Sequence, residues 1–478
     1  METDVGDSHY RPRCDELIGR RRIVLFLVLH ASWREARDAY ISSGWWVKVI
    51  AAIQRSIPVH DRGELRREIM ELAWPAIIEN LLVMSVGIAD TAMVGHLGSA
   101  LLAAVDLANR LVMFALAVFS AILIGTTAVV ARSVGAGDRD TANQALRQAL
   151  IMVAVLALPL LIPGTIFARN CLSFMMVLQE SPDLSVMNAG TEYMQITIPF
   201  MIFALLMMTI NSCLRGAGDT RTPMVVTGVS NVVNIVGNYF LIFGKGPFPA
   251  MGVAGAAWAT NIARVIGAIL VVRAVYGGRG RLSLSIHERF KIDIGIMKRI
   301  LRIGFPAAIE QGLMRGAQLV YTMIVAGMDT VSIAAHAVAL TAESISFMPG
   351  AGFSLAATTL VGQNMGAGDP EQAERSGYES GNMATLVMSG MGILFFIFPR
   401  FFVGLFSKDP EVVELASRCL RLVAISQPAL AWVMTIAGGL RGVGDTRWVM
   451  VITVVGFWGI RITLAYALAV SAGMGLIG

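Results

Sequence analysis

The chain has 478 residues, of which 55% are hydrophobic and 15% are charged, and its mean hydropathy is +0.66. Soluble domains carry about 25% charged residues, so this composition excludes a soluble enzyme and also a disordered or fibrous chain. The net charge is +5, which in a membrane protein indicates basic cytoplasmic loops rather than binding to nucleic acid. The four cysteines lie far apart and follow no metal-binding or disulfide spacing.

Stretches of about 20 mostly apolar residues recur along the chain, which is the length of a helix that crosses a bilayer. Basic residues concentrate after the even-numbered stretches, so we expect a multi-pass protein of the plasma membrane with its N-terminus in the cytoplasm. The eleven predicted spans are residues 72–94, 101–131, 145–168, 191–213, 222–243, 252–275, 300–326, 334–362, 378–403, 413–438 and 448–472.

Residues 1–65 form a charged N-terminal extension that differs from the rest of the chain. Its one apolar run, Ile23–Leu29, is too short to span a bilayer. Two interpretations stay open. The stretch Trp45–Ile53 predicts an amphipathic segment on a membrane surface, and the alternative is a disordered or start-site extension without a role.

An internal repeat is the strongest feature of the sequence. Three segments of the first half reappear in the second half, at offsets of 231, 231 and 226 positions. They are Trp74–Asn80 with Phe305–Gln311, Gly135–Asp138 with Gly366–Asp369, and Leu214–Arg221 with Leu440–Arg447. Because six spans separate the copies, both copies enter the membrane from the same side, which predicts parallel repeats with a central cavity between them.

The repeat divides the membrane-embedded part into three regions. These are an N-terminal six-helix lobe (66–275), a basic cytoplasmic linker (276–299) and a C-terminal lobe (300–478). The expected fold class is an all-α integral membrane protein with two parallel six-helix repeats. Because Met474–Gly478 resembles the start of the sixth span, we expect five helices in the C-terminal lobe and the twelfth helix to be missing.

The repeated loops have a local physical interpretation. Glycine permits the tight turns between closely spaced helices, and Asp138 and Asp219 can each cap the helix that follows. A phosphate-binding role is disfavoured, since no Gly-Lys-Ser/Thr run and no preceding strand accompany the glycines.

Several segments spread over residues 65–478 together form a recognisable pattern. They are Trp74–Leu82, Asp90–Gly98, Val134–Asp138, Leu214–Thr220, Ala334–His336 and Leu360–Asp369. This pattern resembles the multidrug and toxic compound extrusion (MATE) transporters. The resemblance implies two six-helix lobes that export cationic amphiphiles, driven by Na⁺ or H⁺ and without any other cofactor. The implied partners are small organic cations and the lipid bilayer, with no nucleic acid, and we expect a monomer.

Polar residues inside the first lobe form a candidate site for the coupling ion. Charged groups within spans are costly and mark functional positions. Asp90 lies in the first span, Asn234 and Asn238 lie on one face of the fifth, and Thr260 lies in the sixth. Their oxygens suit Na⁺, and Asp90 alone could instead bind a proton. The second repeat has Tyr321 at the position of Asp90 and apolar residues in place of both asparagines, which favours a site in the first lobe.

Two considerations qualify this cluster. MATE transporters often carry an acid at the position of Asn238, so here Asp90 is the single carboxylate. Intramembrane Asn and Thr also hold helices together by hydrogen bonds, so a structural role stays open.

Three further acids lie within the spans. Glu79 and Glu310 occupy equivalent positions in the repeats, so we expect them to hold helices together or to neutralise Arg110 and Arg315. Glu343 aligns with an apolar residue of the first lobe, which makes it a secondary acidic site and a candidate contact for a cationic substrate.

Two other classes of protein are weighed against an ion-coupled exporter. The alternative is a flippase of the wider superfamily for lipid-linked precursors or polysaccharides, which would line its cavity with several arginines or lysines. The arginines within the spans are instead scattered over both lobes, which disfavours a flippase. An intramembrane enzyme would need a nucleophile–base pair or a metal cluster, and neither HExxH nor GxSxG occurs.

Overall fold

The computed structural model describes residues 59–176, 183–276, 282–283 and 292–477. The extension up to residue 58 and most of the predicted linker lie outside the described residues, so the predictions made for them stay predictions. The chain divides into two compact units, residues 1–64 and 65–478. The first unit is described only from residue 59, where a helix begins, and the second unit contains the other elements.

The described residues are almost entirely helical and contain no strand. The first repeat consists of α1 (Val59–Gly95), α2 (Ser99–Gly135), α3 (Arg139–Ile166), α4 (Ala168–Met175), α5 (Leu184–Thr197), α6 (Met201–Gly216), α7 (Arg221–Phe243) and α8 (Gly252–Tyr276). The second consists of α9 (Ile294–Ala326), α10 (Thr330–Gly366), α11 (Pro370–Ile397), α12 (Pro399–Gly404), α13 (Pro410–Val443) and α14 (Thr446–Thr453). Beyond α14 the same span continues through Val454–Arg461 (π-helical), α15 (Ile462–Ala465) and Tyr466–Ser471 (π-helical), and a 3₁₀ turn follows at Gly475–Ile477.

Every one of the eleven predicted spans coincides with a helix or a helix pair. Nine helices of the described part are long and apolar enough to cross a membrane, and α5 with α6 can form a tenth span that is bent by 55°. The remaining predicted span, α9, is helical over its whole length but does not count among them. Its charged residues include Glu310 and Arg315 in the middle of the helix, which lowers its apolar character.

The internal repeat of the sequence is also a repeat of helix boundaries. The bounds of α10 follow those of α2 by 231 positions at both ends, and the bounds of α11 follow those of α3 by the same number. The expected all-α fold with two repeated lobes is therefore confirmed, and the residue boundaries assigned to the lobes and the linker stay predictions.

The loop after α2 shows why its sequence is repeated after α10. Gly137 and Gly368 have φ values of +74° and +79°, which glycine adopts without strain. Asp138 Oδ1 then accepts a hydrogen bond of 2.9 Å from the backbone N–H of Thr141, and the Thr141 hydroxyl donates to the other oxygen. These hydrogen bonds hold the pKa of Asp138 below its ordinary value. The predicted helix cap is confirmed.

The two lobes meet at the end of the helix bundle where α2 and α10 finish. We call this the basic end, because the basic loops that follow the even-numbered spans lie here; it is defined by residues 136–138 and 367–369. A β-carbon at Gly135 would overlap the backbone of Gln363, and one at Gly366 would overlap the backbone of Arg132. Small residues let helix backbones approach this closely. The glycines at the end of each repeated helix are therefore required for the contact between the lobes.

Hydrogen bonds reinforce this junction. The Thr359 hydroxyl donates to the carbonyl oxygen of Arg215 over 2.9 Å, and the Gln363 amide donates to that of Gly216 over 3.1 Å. From the other direction, the Arg132 guanidinium lies 3.3 Å from the carbonyl oxygen of Val443. Side chains of each lobe thus bind the ends of helices in the other lobe.

One span differs between the repeats. In the first lobe it is broken between α5 and α6, where Pro199 lacks an N–H and cannot continue the helical hydrogen bonds. In the second lobe the equivalent span is the continuous helix α13, which has Ile425 at that position.

Candidate functional site

The predicted cluster of Asp90, Asn234, Asn238 and Thr260 is a single connected group. The Asn238 amide donates to Asp90 Oδ1 over 2.5 Å and to Asn234 Oδ1 over 3.2 Å. The Asn234 amide in turn donates to the Thr260 hydroxyl oxygen over 3.2 Å. Helices α1, α7 and α8 therefore contribute side chains to one polar chain inside the first lobe.

The arrangement follows from the helical period. Asn234 and Asn238 are four residues apart on α7, so both side chains lie on one face of that helix. Asn238 is fully buried and Asn234 is 5% exposed, although both are polar. By contrast Asn231, one turn earlier, donates to the carbonyl oxygen of Leu82 over 2.6 Å and joins α7 to α1. Of the three asparagines on α7, Asn231 therefore makes a contact between helices, whereas Asn234 and Asn238 belong to the cluster.

One polar atom of the cluster has no hydrogen-bond partner. The Oδ1 atom of Asn238 is buried and unpaired, while its amide nitrogen serves two acceptors. Buried polar atoms are normally satisfied, and an exception calls for an explanation such as an ion. Together with the Asp90 carboxylate and the Thr260 hydroxyl, this atom belongs to the set of hard oxygen ligands that suits a monovalent cation.

Three residues that were not predicted from the sequence complete the site. Tyr193 on α5 lies near Asp90 and Arg264, which both act on it electrostatically, and its hydroxyl donates to Asn109 Oδ1 on α2 over 3.4 Å. Arg264 interacts electrostatically with both Asp90 and Tyr193. The four-residue spacing from Thr260 to Arg264 on α8 could have placed this arginine beside the cluster. No local pattern marks Tyr193 or Asn109.

The broken span positions Arg264. Since the helix ends at Thr197, carbonyl oxygens near the break are free to accept hydrogen bonds from α8. The Asn261 amide donates to the carbonyl oxygen of Ile196 over 2.7 Å, and the Arg264 guanidinium lies 3.4 Å from that of Thr197. The bend therefore connects α5 to the charge next to Asp90.

The equivalent region of the second lobe has a different chemistry. The Arg461 guanidinium lies 5.2 Å from the ring centroids of both Tyr321 and Phe457. Tyr321 also lies 5.3 Å from the His336 ring, and Arg461 interacts electrostatically with Glu343. An arginine held by aromatic rings thus occupies the region that in the first lobe holds the carboxylate and carboxamides.

The acids Glu79 and Glu310 lie away from the Asp90 cluster and form equivalent ion pairs. Arg215 Nη1 lies 3.0 Å from Glu79 Oε1, and Arg441 Nη2 lies 2.6 Å from Glu310 Oε1. Both pairs join the first helix of a lobe to the fourth span of that lobe. The expected helix-holding role agrees with this geometry.

The partners suggested from the sequence were wrong. Arg110 pairs instead with Asp106, one turn away on α2, over 2.9 Å. Glu79 and Glu310 contact arginines more than 130 positions away, which no sequence spacing indicated.

Two homologous lobes of membrane helices, with an ionisable cluster inside one of them, are the architecture of a secondary transporter. A model of the MatE family matches the chain twice, over residues 75–240 and 306–467. The chain belongs to the MatE family and is a multi-pass membrane transporter, not an enzyme. The resemblance seen in the sequence is thereby confirmed.

Relatives support this assignment over most of the chain. A probable multidrug resistance protein NorM of Thermotoga maritima is 32% identical over 431 residues, which cover 88% of this chain and 89% of that protein. The multidrug resistance protein MdtK of Yersinia pseudotuberculosis is 28% identical over 409 residues, covering 85% of this chain and 88% of MdtK. These names support a multidrug efflux transporter.

Solved structures show the same fold. A crystal structure of MATE in the bent conformation aligns with a TM-score of 0.79 and 22% identity, covering 87% of this chain and 90% of the other. The outward-facing conformation of a multidrug resistance MATE family transporter also aligns with a TM-score of 0.79, at 21% identity, covering 87% and 91%.

Proposed function

We propose that this transporter exports cationic amphiphilic compounds in exchange for Na⁺ or H⁺ by alternating access. The observation that carries the proposal is the Asp90 cluster, in which a half-buried carboxylate, two buried carboxamides and a half-buried hydroxyl form one connected group. By the positive-inside rule, the basic end faces the cytoplasm of the cell. The lobes are then joined on the cytoplasmic side in the conformation described.

Neutralisation of Asp90 is the proposed coupling step. Its negative charge faces the Asn238 amide and the nearby Arg264, and a buried charge without such compensation is costly. When Na⁺ or a proton neutralises the carboxylate, Arg264 loses its counter-charge. Because Arg264 also contacts the bend at Thr197, this change acts directly on the broken span. Ion and drug then compete through one conformational equilibrium, as reciprocal linkage requires.

The ligand set is compatible with either ion. The oxygen atoms of Asp90, Asn234, Asn238 and Thr260 are the hard ligands that Na⁺ prefers. A single carboxylate can alternatively carry one proton. In both cases the ion is a transported species, and we propose no other cofactor.

Glu343 is the proposed acidic contact for the substrate in the second lobe. It is half-buried on α10, and within the described part of the chain it forms no ion pair. Arg461 acts on Glu343 electrostatically without forming an ion pair with it, so the carboxylate still has room to contact an organic cation. We also propose that a single chain suffices for transport, because both lobes belong to it.

A flippase is disfavoured by the surroundings of the arginines. Arg110 is paired with Asp106, and Arg264 lies next to Asp90, so these charges are compensated within the first lobe. They do not converge with Arg461 on a common pyrophosphate site in the described residues.

Uptake of ethidium into proteoliposomes tests the function, with a Na⁺ gradient and a pH gradient imposed separately. We expect one of the two gradients to drive ethidium against its concentration difference. Transport that neither gradient accelerates would refute ion coupling, and the absence of ethidium transport would refute the proposed substrate class.

A further inference from the structure

The start of α1 leaves its own lobe and packs against the other one. Ile69 and Leu72 share an apolar cluster with Phe353 of α10 and Met388 of α11. This contact lies at the basic end, where α1 begins. Any motion that separates the lobes at this end must therefore pull α1 away from α11.

An ion pair crosses this contact. The Arg66 guanidinium on α1 binds the Glu379 carboxylate on α11. The Glu379 side chain is 2% exposed and the Arg66 side chain is 52% exposed, so the acid is buried and the base reaches it from the surface. The Asn382 amide donates to the second carboxylate oxygen over 3.2 Å. Glu379 is thus a buried acid of the second lobe whose counter-charge comes from the first lobe.

The repeat lacks this pair at the equivalent position. The position equivalent to Glu379 is Gln148 on α3, and the position equivalent to Arg66 is Met297 on α9. Met297 packs against the apolar core of the first lobe, in the equivalent contact between α9 and that lobe. The Glu79–Arg215 and Glu310–Arg441 pairs, in contrast, occur in both lobes. Among the described residues, an equivalent of the Arg66–Glu379 pair does not occur between residues 148 and 297.

Alternating access changes the surroundings of Glu379. When the lobes part at the basic end, Arg66 moves away with α1 and Glu379 keeps only the neutral Asn382. The Glu379 carboxylate then faces the opened side without its counter-charge, next to the apolar residues that α1 has left. A cation arriving from that side pairs with the carboxylate, and a cationic amphiphile supplies both the charge and an apolar body for the surface that α1 vacates.

We propose that Glu379 is the reception site for the organic cation in the cytoplasm-facing state, and that Arg66 is an internal cation which occupies this site when that side is closed. The proposal rests on the proposed export of cations. Arg66 competes with the substrate for Glu379 while remaining attached to the chain. Binding of substrate to Glu379 favours the open state, and Arg66 displaces the substrate when that side closes.

Substitution of Glu379 and substitution of Arg66 are expected to shift the half-saturating substrate concentration in opposite directions. Ethidium uptake is measured in inverted membrane vesicles, in which the cytoplasmic end faces the bath. Glu379→Gln should raise the half-saturating ethidium concentration about tenfold, which corresponds to about 1.4 kcal/mol. Arg66→Gln should lower it about threefold because the competitor is lost. Glu379→Asp, which keeps the charge, should restore most of the affinity.

Matched controls exist on the same helices. Arg67→Gln and Glu371→Gln remove the same charges from exposed pairs that lie within a single helix, Arg67 with Glu71 and Arg375 with Glu371. We expect both controls to transport ethidium with wild-type half-saturation. Folding of every variant is checked by its elution profile and melting temperature in detergent.

The outcomes separate the two proposals. If both Glu379→Gln and Arg66→Gln shift the half-saturating concentration in the same direction, the pair is a structural contact only and the inference is wrong. Wild-type behaviour of Glu379→Gln would also overturn it while export of cations stands. If the wild-type protein itself does not transport ethidium, the proposed function fails first.

Discussion

The two lobes have equivalent helices at equivalent spacing, yet their polar residues differ. The glycine loops, their aspartate caps and the Glu–Arg pairs between the first and fourth spans are present in both. Within the described part of the chain, the Asp90 cluster, the bent span and the Arg66–Glu379 pair each occur once. Features that both lobes retain stabilise the fold, whereas features found in one lobe indicate where the two lobes differ in function.

The bent span illustrates the difference most directly. In the first lobe the helix ends at Thr197, two residues before Pro199, and carbonyl oxygens at this end accept from Asn261 and Arg264. The second lobe has Ile425 at the equivalent position, and α13 runs through without a break. The break between α5 and α6 therefore provides the backbone acceptors that contact the positive charge near Asp90.

The largest expected effect concerns the ion pairs that both lobes share. Glu310→Gln should lower the free energy of unfolding by about 3 kcal/mol, because the mostly buried Arg441 loses its counter-charge. Glu79→Gln should cost less, about 2 kcal/mol, since the Glu79 side chain is 10% exposed rather than 2%. Denaturant unfolding in detergent measures both values.

The exposed pair on α11 is the control for this comparison. Glu371→Gln should change the stability by less than about 0.5 kcal/mol, as is usual for surface pairs. If Glu79→Gln is as stable as the wild type while Glu310→Gln is not, the two ion pairs are not equivalent. The lobes would then also differ in how much this pair contributes to their stability.

Asp90→Asn should have the next largest effect. Loss of a charged ligand costs about 1.5–3 kcal/mol, which corresponds to a decrease in ion affinity of up to about 100-fold. Gradient-driven ethidium transport should be abolished at ordinary ion concentrations while the protein still folds. Tyr321→Phe, at the equivalent position of the second lobe, should keep wild-type ion dependence. Unchanged ion dependence in Asp90→Asn would move the coupling site to another acid, with Glu343 the first to examine.

Asn238→Ala should weaken ion binding less than Asp90→Asn. A neutral hydrogen-bonding ligand contributes about 0.5–1.5 kcal/mol, so we expect a decrease in affinity of about tenfold at most. Leu464→Ala is the control at the equivalent position of the second lobe, and it should not alter the ion affinity. The half-activating ion concentration for ethidium transport provides the measurement. A decrease as large as that of Asp90→Asn would show that Asn238 is not an auxiliary ligand.

Pro199→Ile is expected to have the smallest effect. The variant allows the helix to continue as α13 does, which withdraws the carbonyl oxygen that Arg264 contacts. The loss of about one hydrogen bond should shift the half-activating ion concentration about threefold. Pro159→Ala, in the interior of α3, serves as the control and should leave this concentration unchanged. If Pro199→Ile has no effect on the ion dependence, the bend and the cluster are independent features.

The class of fold, the spans and the place of the Asp90 cluster could be predicted from the sequence. Apolar length, helical period and the repeated loops are local properties, and each can be read within one segment of the chain. The asparagines of α7 could be assigned to one face, and comparison of the repeats indicated that Asp90 has no acidic counterpart at Tyr321. The contact of Asn238 with both Asp90 and Asn234 agrees with that prediction.

Which distant side chains meet could not be predicted from the sequence and is known from the packed helices. Arg66 and Glu379 are 313 positions apart, and Arg215 lies 136 positions from Glu79. Tyr193 likewise joins the cluster only through the packing of α5 against α8. Such partners depend on helix rotation, tilt and the angle of a bend. Apolar spans tolerate many of these arrangements, so the pairing of their few polar groups follows from how the lobes pack and not from any local pattern.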